Sequence, residues 1–310
     1  RRTVEEVKKD IDNMEKEYAV YKNMIRSAFL QDADSLVLKT SEVLDIINYT
    51  REKFPNLERI TTYARATTLK RKTVDELTEL CKAGLTRIHV GMESGSEKVL
   101  KMIRKGITPQ DIVEGGQKVV AAGMSLSEYI MPGVGGREFS KENAIETASL
   151  LNQIKPDFIR VRTFAMHPKS PMMKLVEDGT FVPMNDIEIV EEIRLLVQTL
   201  DKMHSYFSCG DFSLNLLMQV DGYLDEKKEY MLSELDKFLS LERDQQKAYC
   251  LIRRSSYMQY PIEAVQNEEV MNKVRPEIEK LEKDDPKGFD KYVEMLKSYQ
   301  LPQPQTDDWK

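Results

Sequence analysis

The sequence predicts an α/β protein built on parallel strands, in a sheet either open or closed into a barrel. Two observations carry this expectation. Short β-type runs alternate with amphipathic helical stretches from Ser27 to Met203. Successive strand candidates also lie roughly 30 to 40 residues apart, the length of a strand, a crossover helix and the next strand. A third observation points to function. Polar residues gather where the strand candidates end, which is where parallel α/β folds place their ligand sites.

The chain opens on a helix. Thr3-Val4-Glu5-Glu6 has the capping-box pattern, and Val4, Val7, Ile11, Met14 and Tyr18 form an apolar stripe. Ser27 to Leu30 reads as a strand ending in Gln31-Asp32-Ala33-Asp34, and a helix from Ser41 runs to a stop at Pro55. Ile60 to Ala66 is the next strand candidate. Thr73-Val74-Asp75-Glu76 is a second capping box, whose helix ends near Gly84, where a left-handed residue is wanted. Thr86 to Met92 reads as a strand, followed by Ser94-Gly95-Ser96 and a helix through Val99, Leu100 and Ile103. Pro109 sits at the first position of the following helix, where its missing N–H costs nothing.

Ser125 to Met131 is a strand candidate broken by Pro132-Gly133-Val134-Gly135-Gly136, with Ser140 expected to cap the next helix. Phe158 to Phe164 is the last strand candidate, leading to Met166-His167-Pro168-Lys169 and a helix over Asp186 to Met203. Cys209 to Asn215 reads as an irregular link. Asp225 to Leu241 and most of the remainder to Tyr299 read as charged helices. The expected organisation is a βα region over 1–205, a mainly helical extension over 206–300 and a tail over 301–310.

Composition narrows the function classes. The chain has 310 residues, 41% hydrophobic and 32% charged, as expected of a helix-rich globular protein. No apolar run approaches the roughly 20 residues needed to cross a bilayer, and no secretory signal opens the chain, so a cytoplasmic location is expected. A net charge of −6 argues against an electrostatic grip on bulk nucleic acid. Three cysteines, Cys81, Cys209 and Cys250, stand far apart and in no metal-ligand spacing. Arg rather than Met at position 1, and a βα repeat that opens on its helix, are expected of a partial product whose leading strand lies upstream.

The strand ends supply the candidates: Gln31, Asp32 and Asp34; Tyr63 and Arg65; Glu93, Ser94 and Ser96; the turn from Met131 to Gly136; and Thr163, His167 and Lys169. Arg65 suits a paired hydrogen bond to a carboxylate, or an ordinary salt bridge. Glu93 offers an acceptor-only side chain to ribose hydroxyls or an ammonium, or to the dipole of the helix that follows. Asp32 and Asp34 suit a cation, an amino group or a turn. Pro132 to Gly136 lacks the GxGxxG order and the P-loop lysine, and suits either a flexible turn or a backbone surface against a flat purine. His89 lies inside a strand and is expected to be structural.

In order and spacing these parts resemble the radical SAM superfamily, in the iron–sulfur oxidoreductase group related to the anaerobic coproporphyrinogen oxidase and tRNA-modifying branches. The resemblance runs over about Arg1 to Thr180, by correspondence of repeating units. Arg1 to Val7 resembles the helix after the family's cluster loop, and Phe29 to Asp34 its second strand end. His89 to Ser96 resembles the fourth strand end, and Tyr129 to Gly133 the fifth. The resemblance implies a partial (β/α)6 TIM-like barrel of parallel strands, with the first strand missing and a C-terminal helical extension. It implies S-adenosylmethionine (SAM) across the strand ends. Gln31, Asp32 and Asp34 would face the methionine amino group, Arg65 its carboxylate, and Glu93 with Ser94 the ribose or amino end. Met131, Pro132 and Gly133, with Thr163 to Met166, would border the adenine.

The resemblance also implies a [4Fe–4S] cluster held by a Cys-x3-Cys-x2-Cys loop, reductive cleavage of SAM to methionine and a 5′-deoxyadenosyl radical, and an electron donor such as flavodoxin or ferredoxin. This sequence departs from the pattern, because it contains no CxxxCxxC. A site-differentiated cluster needs three placed thiolates, so the chain by itself is expected to be inert in radical chemistry. The substrate, whether small molecule, RNA or protein, is not legible. Two rivals are an ordinary TIM-barrel aldolase or metal-dependent hydrolase, for which Lys169 is the one well-placed lysine, and a non-catalytic or decayed barrel that only binds.

Overall fold

A computed structural model describes residues 2–256 and 260–299, so Arg1 and the tail over 301–310 lie outside the described residues. Seven strands form one sheet: β1 (Ser27–Leu30), β2 (Arg59–Ala64), β3 (Leu85–Glu93), β4 (Ser125–Ile130), β5 (Phe158–Val161), β6 (Tyr206–Ser208) and β7 (Asp221–Tyr223). Their order in the sheet is their order in sequence. β1 pairs with β2, and β2 with β3, in parallel, whereas β6 and β7 are antiparallel.

The helices of the first half are α1 (Val4–Glu17), α2 (Thr40–Lys53), α3 (Ala66–Arg71), α4 (Val74–Ala83), α5 (Glu97–Met102), α6 (Pro109–Ala121) and α7 (Gly136–Ile154). Those of the second are α8 (Met173–Glu177), α9 (Asp186–Thr199), α10 (Leu224–Leu239), α11 (Arg243–Ser255), α12 (Glu268–Glu282) and α13 (Gly288–Tyr299). The α/β class and parallel strands read from the sequence are those of the structure. No helix among the described residues is long and apolar enough to cross a membrane.

The chain divides into two compact units. The first comprises Arg1–Met92, Gly106–Tyr129 and Gln153–Ile159. One face of its strands is buried through Ile60 and Ala64 of β2 and Ile88, Val90 and Met92 of β3. Both capping boxes read from the sequence form here, at Thr3 and Thr73, and each satisfies backbone donors that a helix start leaves unpaired. Gly84 closes α4 at φ +121°, a conformation that costs a glycine little. Gly115 lets α6 press against α3, since a Cβ there would lie 2.8 Å from the Ala66 carbonyl oxygen.

The second unit comprises Glu93–Lys105, Ile130–Asn152 and the chain from Arg160 onward. Its interior contains charge. Asp186, at the start of α9, takes two hydrogen bonds from the Arg254 guanidinium at 2.8 and 3.0 Å, and Lys297 of α13 lies 3.7 Å away. Arg254 also donates to the carbonyls of Ser213 and Leu214, which pins the irregular link after β6.

Of the boundaries that differ from the sequence expectation, four have a clear local reason. β2 stops at Ala64, because Arg65 becomes the N-cap residue of α3. β5 stops at Val161, where the Asn215 side chain takes over the pairing: it accepts from the Thr163 amide at 3.1 Å and donates to the Val161 carbonyl at 2.8 Å. α7 starts at Gly136 rather than being capped at Ser140, with Gly136 at φ +61° turning the chain in. The segment after α9, which ends at Thr199, forms the β6–β7 pair, two three-residue strands too short for periodicity to mark.

Candidate functional site

Within the first unit, the chain leaving β1 and the chain leaving β2 are tied together. Asp34 accepts from the Thr68 hydroxyl at 2.6 Å and from the Arg65 amide at 3.3 Å, so its carboxylate serves the amide end of α3. Asp32 accepts from the adjacent Ala33 amide at 2.6 Å, the local turn chemistry open to an aspartate. Gln31 and Arg65 are exposed. Gln31, Asp32 and Asp34 border a cleft of about 450 Å³ whose walls are mainly apolar, among them Ile11 and Met14 of α1, Phe29 of β1 and Ile46 of α2. The unit therefore presents an amide, two carboxylates and a guanidinium at consecutive strand ends.

Within the second unit, the strand-end segments interlock through the backbone. The Met131 amide donates to the Glu93 carbonyl at 2.8 Å, and the Phe164 amide to the Pro132 carbonyl at 2.8 Å. Glu93 is left-handed at φ +64°, and the ammonium its carboxylate takes is that of Lys105, at 2.9 Å. Ser94 is fully buried. Its hydroxyl donates to Asn143 of α7 at 2.5 Å, Asn143 donates to Glu192 of α9 at 2.8 Å, and Glu192 accepts from the Gly133 amide at 3.0 Å. One buried chain of polar groups thus fixes both the turn after β3 and the turn after β4. Burial pushes the Glu192 carboxyl up from its ordinary value, against the hydrogen bonds from Ser140, Gly133 and Asn143.

Thr163 and Met166 are held from outside the βα repeat. Asn215 accepts from both the amide and the hydroxyl of Thr163, and the Met166 amide donates to Glu294 of α13 at 3.3 Å. Glu294 pairs in turn with Lys297 at 2.6 Å, which joins the 163–166 loop to the buried Asp186 and Arg254. His167 accepts from the Lys169 amide at 3.1 Å, so both belong to a turn. Sequence reading missed Lys105, Asn143, Glu192, Asn215 and Glu294. Glu192 alone left a signal there: it is a carboxylate on the apolar stripe of Ile189, Ile193 and Leu196.

The cysteines do not suit an iron–sulfur cluster. Cys81 is half-buried on α4 with its thiol 3.6 Å from the Gly123 carbonyl oxygen, while Cys209 and Cys250 are buried. Burial pushes both buried thiols well above their ordinary values, whereas cluster ligation requires thiolates. No group of three or more His, Cys, Asp or Glu able to hold a metal occurs among the described residues.

The sheet carries polar groups at its strand ends, the position at which βα folds hold ligands. Residues 1–150, just under half of the chain, match the radical SAM superfamily. It is 23% identical over 119 residues to a tRNA uridine(34) acetyltransferase of Methanocaldococcus infernus, covering 38% of this chain and 22% of that protein. It is 26% identical over 181 residues to a GTP 3′,8-cyclase of Clostridium botulinum, covering 56% of this chain and 53% of the cyclase. Among solved structures, an N-terminally deleted Elp3 of M. infernus superposes with a TM-score of 0.47 at 16% identity, over 59% of this chain and 46% of that one. Coproporphyrinogen III oxidase of Escherichia coli gives a TM-score of 0.46 at 16% identity, over 64% of this chain and 47% of that one. The chain thus spans about a fifth of the archaeal relative's length and about half of the cyclase's.

Proposed function

We propose that this chain supplies the SAM-binding part of a radical SAM enzyme, whose reaction is the reductive cleavage of SAM to methionine and a 5′-deoxyadenosyl radical. One observation carries the reading: polar groups follow the carboxyl ends of β1 to β5 in turn, the position at which βα folds hold ligands. In the first unit, Gln31, Asp32 and Asp34 would take the methionine amino group and Arg65 its carboxylate. In the second, Glu93, steered by Lys105, and the segment beginning at Ser94 would serve the ribose. The backbone of Met131, Pro132 and Gly133, with Thr163 and Met166, would border the adenine.

The thiols of this chain do not fit the [4Fe–4S] cluster that the family's chemistry employs, so no electron-transfer step is assigned to its residues. Its own work is to bind SAM and orient it, and a flavodoxin- or ferredoxin-like donor would serve the complete enzyme. The misfit favours one second reading, a barrel that binds without catalysis. Two measurements separate them. Calorimetric titration of the chain with SAM should give binding that Arg65→Met weakens about tenfold or more, the scale of a lost charge-assisted hydrogen bond. The product of the complete gene, reconstituted anaerobically with iron and sulfide and reduced with dithionite, should release 5′-deoxyadenosine, and the 310-residue chain should release none. Binding without 5′-deoxyadenosine from the complete product would leave the non-catalytic reading. No binding at all would end both.

A further inference from the structure

On the sheet of the first unit, four rings stand side by side on four adjacent strands: Phe29 of β1, Tyr63 of β2, His89 of β3 and Tyr129 of β4. Phe29 and Tyr63 have centroids 5.0 Å apart, and Phe29 and His89 stack at 5.7 Å with planes 22° apart. His89 lies 5.7 Å from Tyr63 and 6.0 Å from Tyr129, and Tyr63 lies 6.5 Å from Tyr129. Register and alternation put all four on one face, because Tyr63 pairs with His89, whereas the alternating Ile88, Val90 and Met92 are buried on the other.

This layer differs from ordinary barrel filling, which relies on branched aliphatic side chains. It is closed beneath, where Thr61 and Ser127 are buried, and at His89, which is 8% exposed; its accessible edge lies at Phe29, Tyr63 and Tyr129. Phe29 is 40% exposed, and Tyr63 and Tyr129 are half-exposed. Three of the four rings carry polar atoms at their edges. This face of the first unit also holds Arg87, which lies 4.1 Å over the Phe158 ring and donates to Ser125 at 3.1 Å. An aliphatic ligand would gain only burial from such a floor. A planar heterocycle would gain offset stacking as well. Three strand spacings make the strip about 14 Å long, room for a base and its sugar.

We propose that this ring floor is the substrate-binding surface and that its ligand is a planar nitrogen heterocycle of the nucleobase kind. The inference rests on the SAM reading above only in naming the bound group as substrate. A free nucleoside and a base within single-stranded RNA offer the same chemistry, and separate arms of the test distinguish them.

The test is saturation-transfer NMR on the 310-residue chain with each of the four ribonucleosides, repeated at saturating SAM, with a short single-stranded oligoribonucleotide as the second arm. Methyl riboside is the ring-less control. Base protons should receive saturation, methyl riboside should receive none, and SAM should leave the signal in place. The double substitution Tyr63→Leu and Tyr129→Leu keeps both positions apolar and should weaken base binding about fivefold or more, as loss of base–ring stacking does. Phe29→Leu, at the exposed end of the strip, should give a smaller weakening and keeps the test open if the double variant does not fold. Saturation in the oligonucleotide arm alone would assign the floor to RNA. No transfer in either arm, displacement of every base by SAM, or unchanged affinity in the ring variants would overturn the proposal. Base binding with no SAM binding would uphold the floor while removing the SAM reading.

Discussion

The two units place their charges differently. In the first, ion pairs lie at the surface: Lys53 bridges Asp12 and Glu15 at 3.2 and 3.0 Å, and Lys8 reaches Asp45 at 2.8 Å. Such pairs contribute little, because water screens them and two long side chains must be ordered. That unit is held by apolar burial through Ile47, Ile60, Leu77 and Ile88. In the second, Arg254 and Asp186 pair with side chains 0% and 2% exposed, and Lys297 is 1% exposed. Burial by itself raises the Asp186 carboxyl, but Arg254 and Lys297 outweigh it and hold the group below its ordinary value. A buried pair adds little beyond a well-packed apolar replacement, yet it tolerates no loss of one partner. The contrast is between ion pairs at the surface of the first unit and a buried ion-pair cluster, Asp186 with Arg254 and Lys297, that acts as a pin in the second.

The largest expected effect follows from that pin. Asp186→Ala leaves Arg254 and Lys297 buried without their carboxylate and should cost about 3–5 kcal/mol, read as a collapse of the melting midpoint. The same group sets an acid limit. Its depressed value means that its stabilisation is present above the ordinary aspartate range and is lost as pH falls through the folded value, so the Asp186→Asn variant should lose this acid dependence.

A smaller effect is expected at Asn215. Its replacement by Ala deprives the Thr163 amide and the Val161 carbonyl of their partner and should cost about 1–3 kcal/mol in chemical denaturation. SAM affinity should fall with it if the 163–166 loop borders the adenine.

Glu192 should behave with the opposite sign to Asp186, although both lie on α9. Its raised value favours the protonated form in the fold, so its contribution turns against folding as pH rises from the ordinary glutamate range through the folded value. Glu192→Gln should therefore gain stability relative to the unaltered chain as pH rises above the ordinary glutamate range, and an unchanged difference across that rise would break the contrast. The smallest effect is expected in the first unit. Lys53→Met should shift the melting curve little and should remove little salt dependence. A large loss there would erase the distinction between the units.

Much of the fold was legible because local chemistry fixed it. The capping boxes at Thr3 and Thr73, Pro109 at the first position of α6 and the left-handed Gly84 each act within a few residues and were read where they occur. β1 was read to the residue, since Gln31 to Asp34 interrupts it. Of the site, the strand-end positions were legible but their partners were not. Asp34 could be seen as a turn or ligand residue, yet its use by Thr68 depends on a residue 34 positions away. Ser94 read as a polar loop residue and is a buried donor to Asn143, 49 positions on.

What the sequence determined by itself is the alternation of parallel strands and helices, and with it the row of polar residues where each strand ends. Those follow from periods and caps that need only neighbouring residues. Only the tertiary structure decided that Glu93 pairs with Lys105, that Asn143 and Glu192 brace two turns, that Asn215 extends β5, and that four rings from four strands form one floor. Each of these joins groups far apart in the chain, and their meeting is set by packing and by the need to satisfy buried polar atoms, not by local pattern.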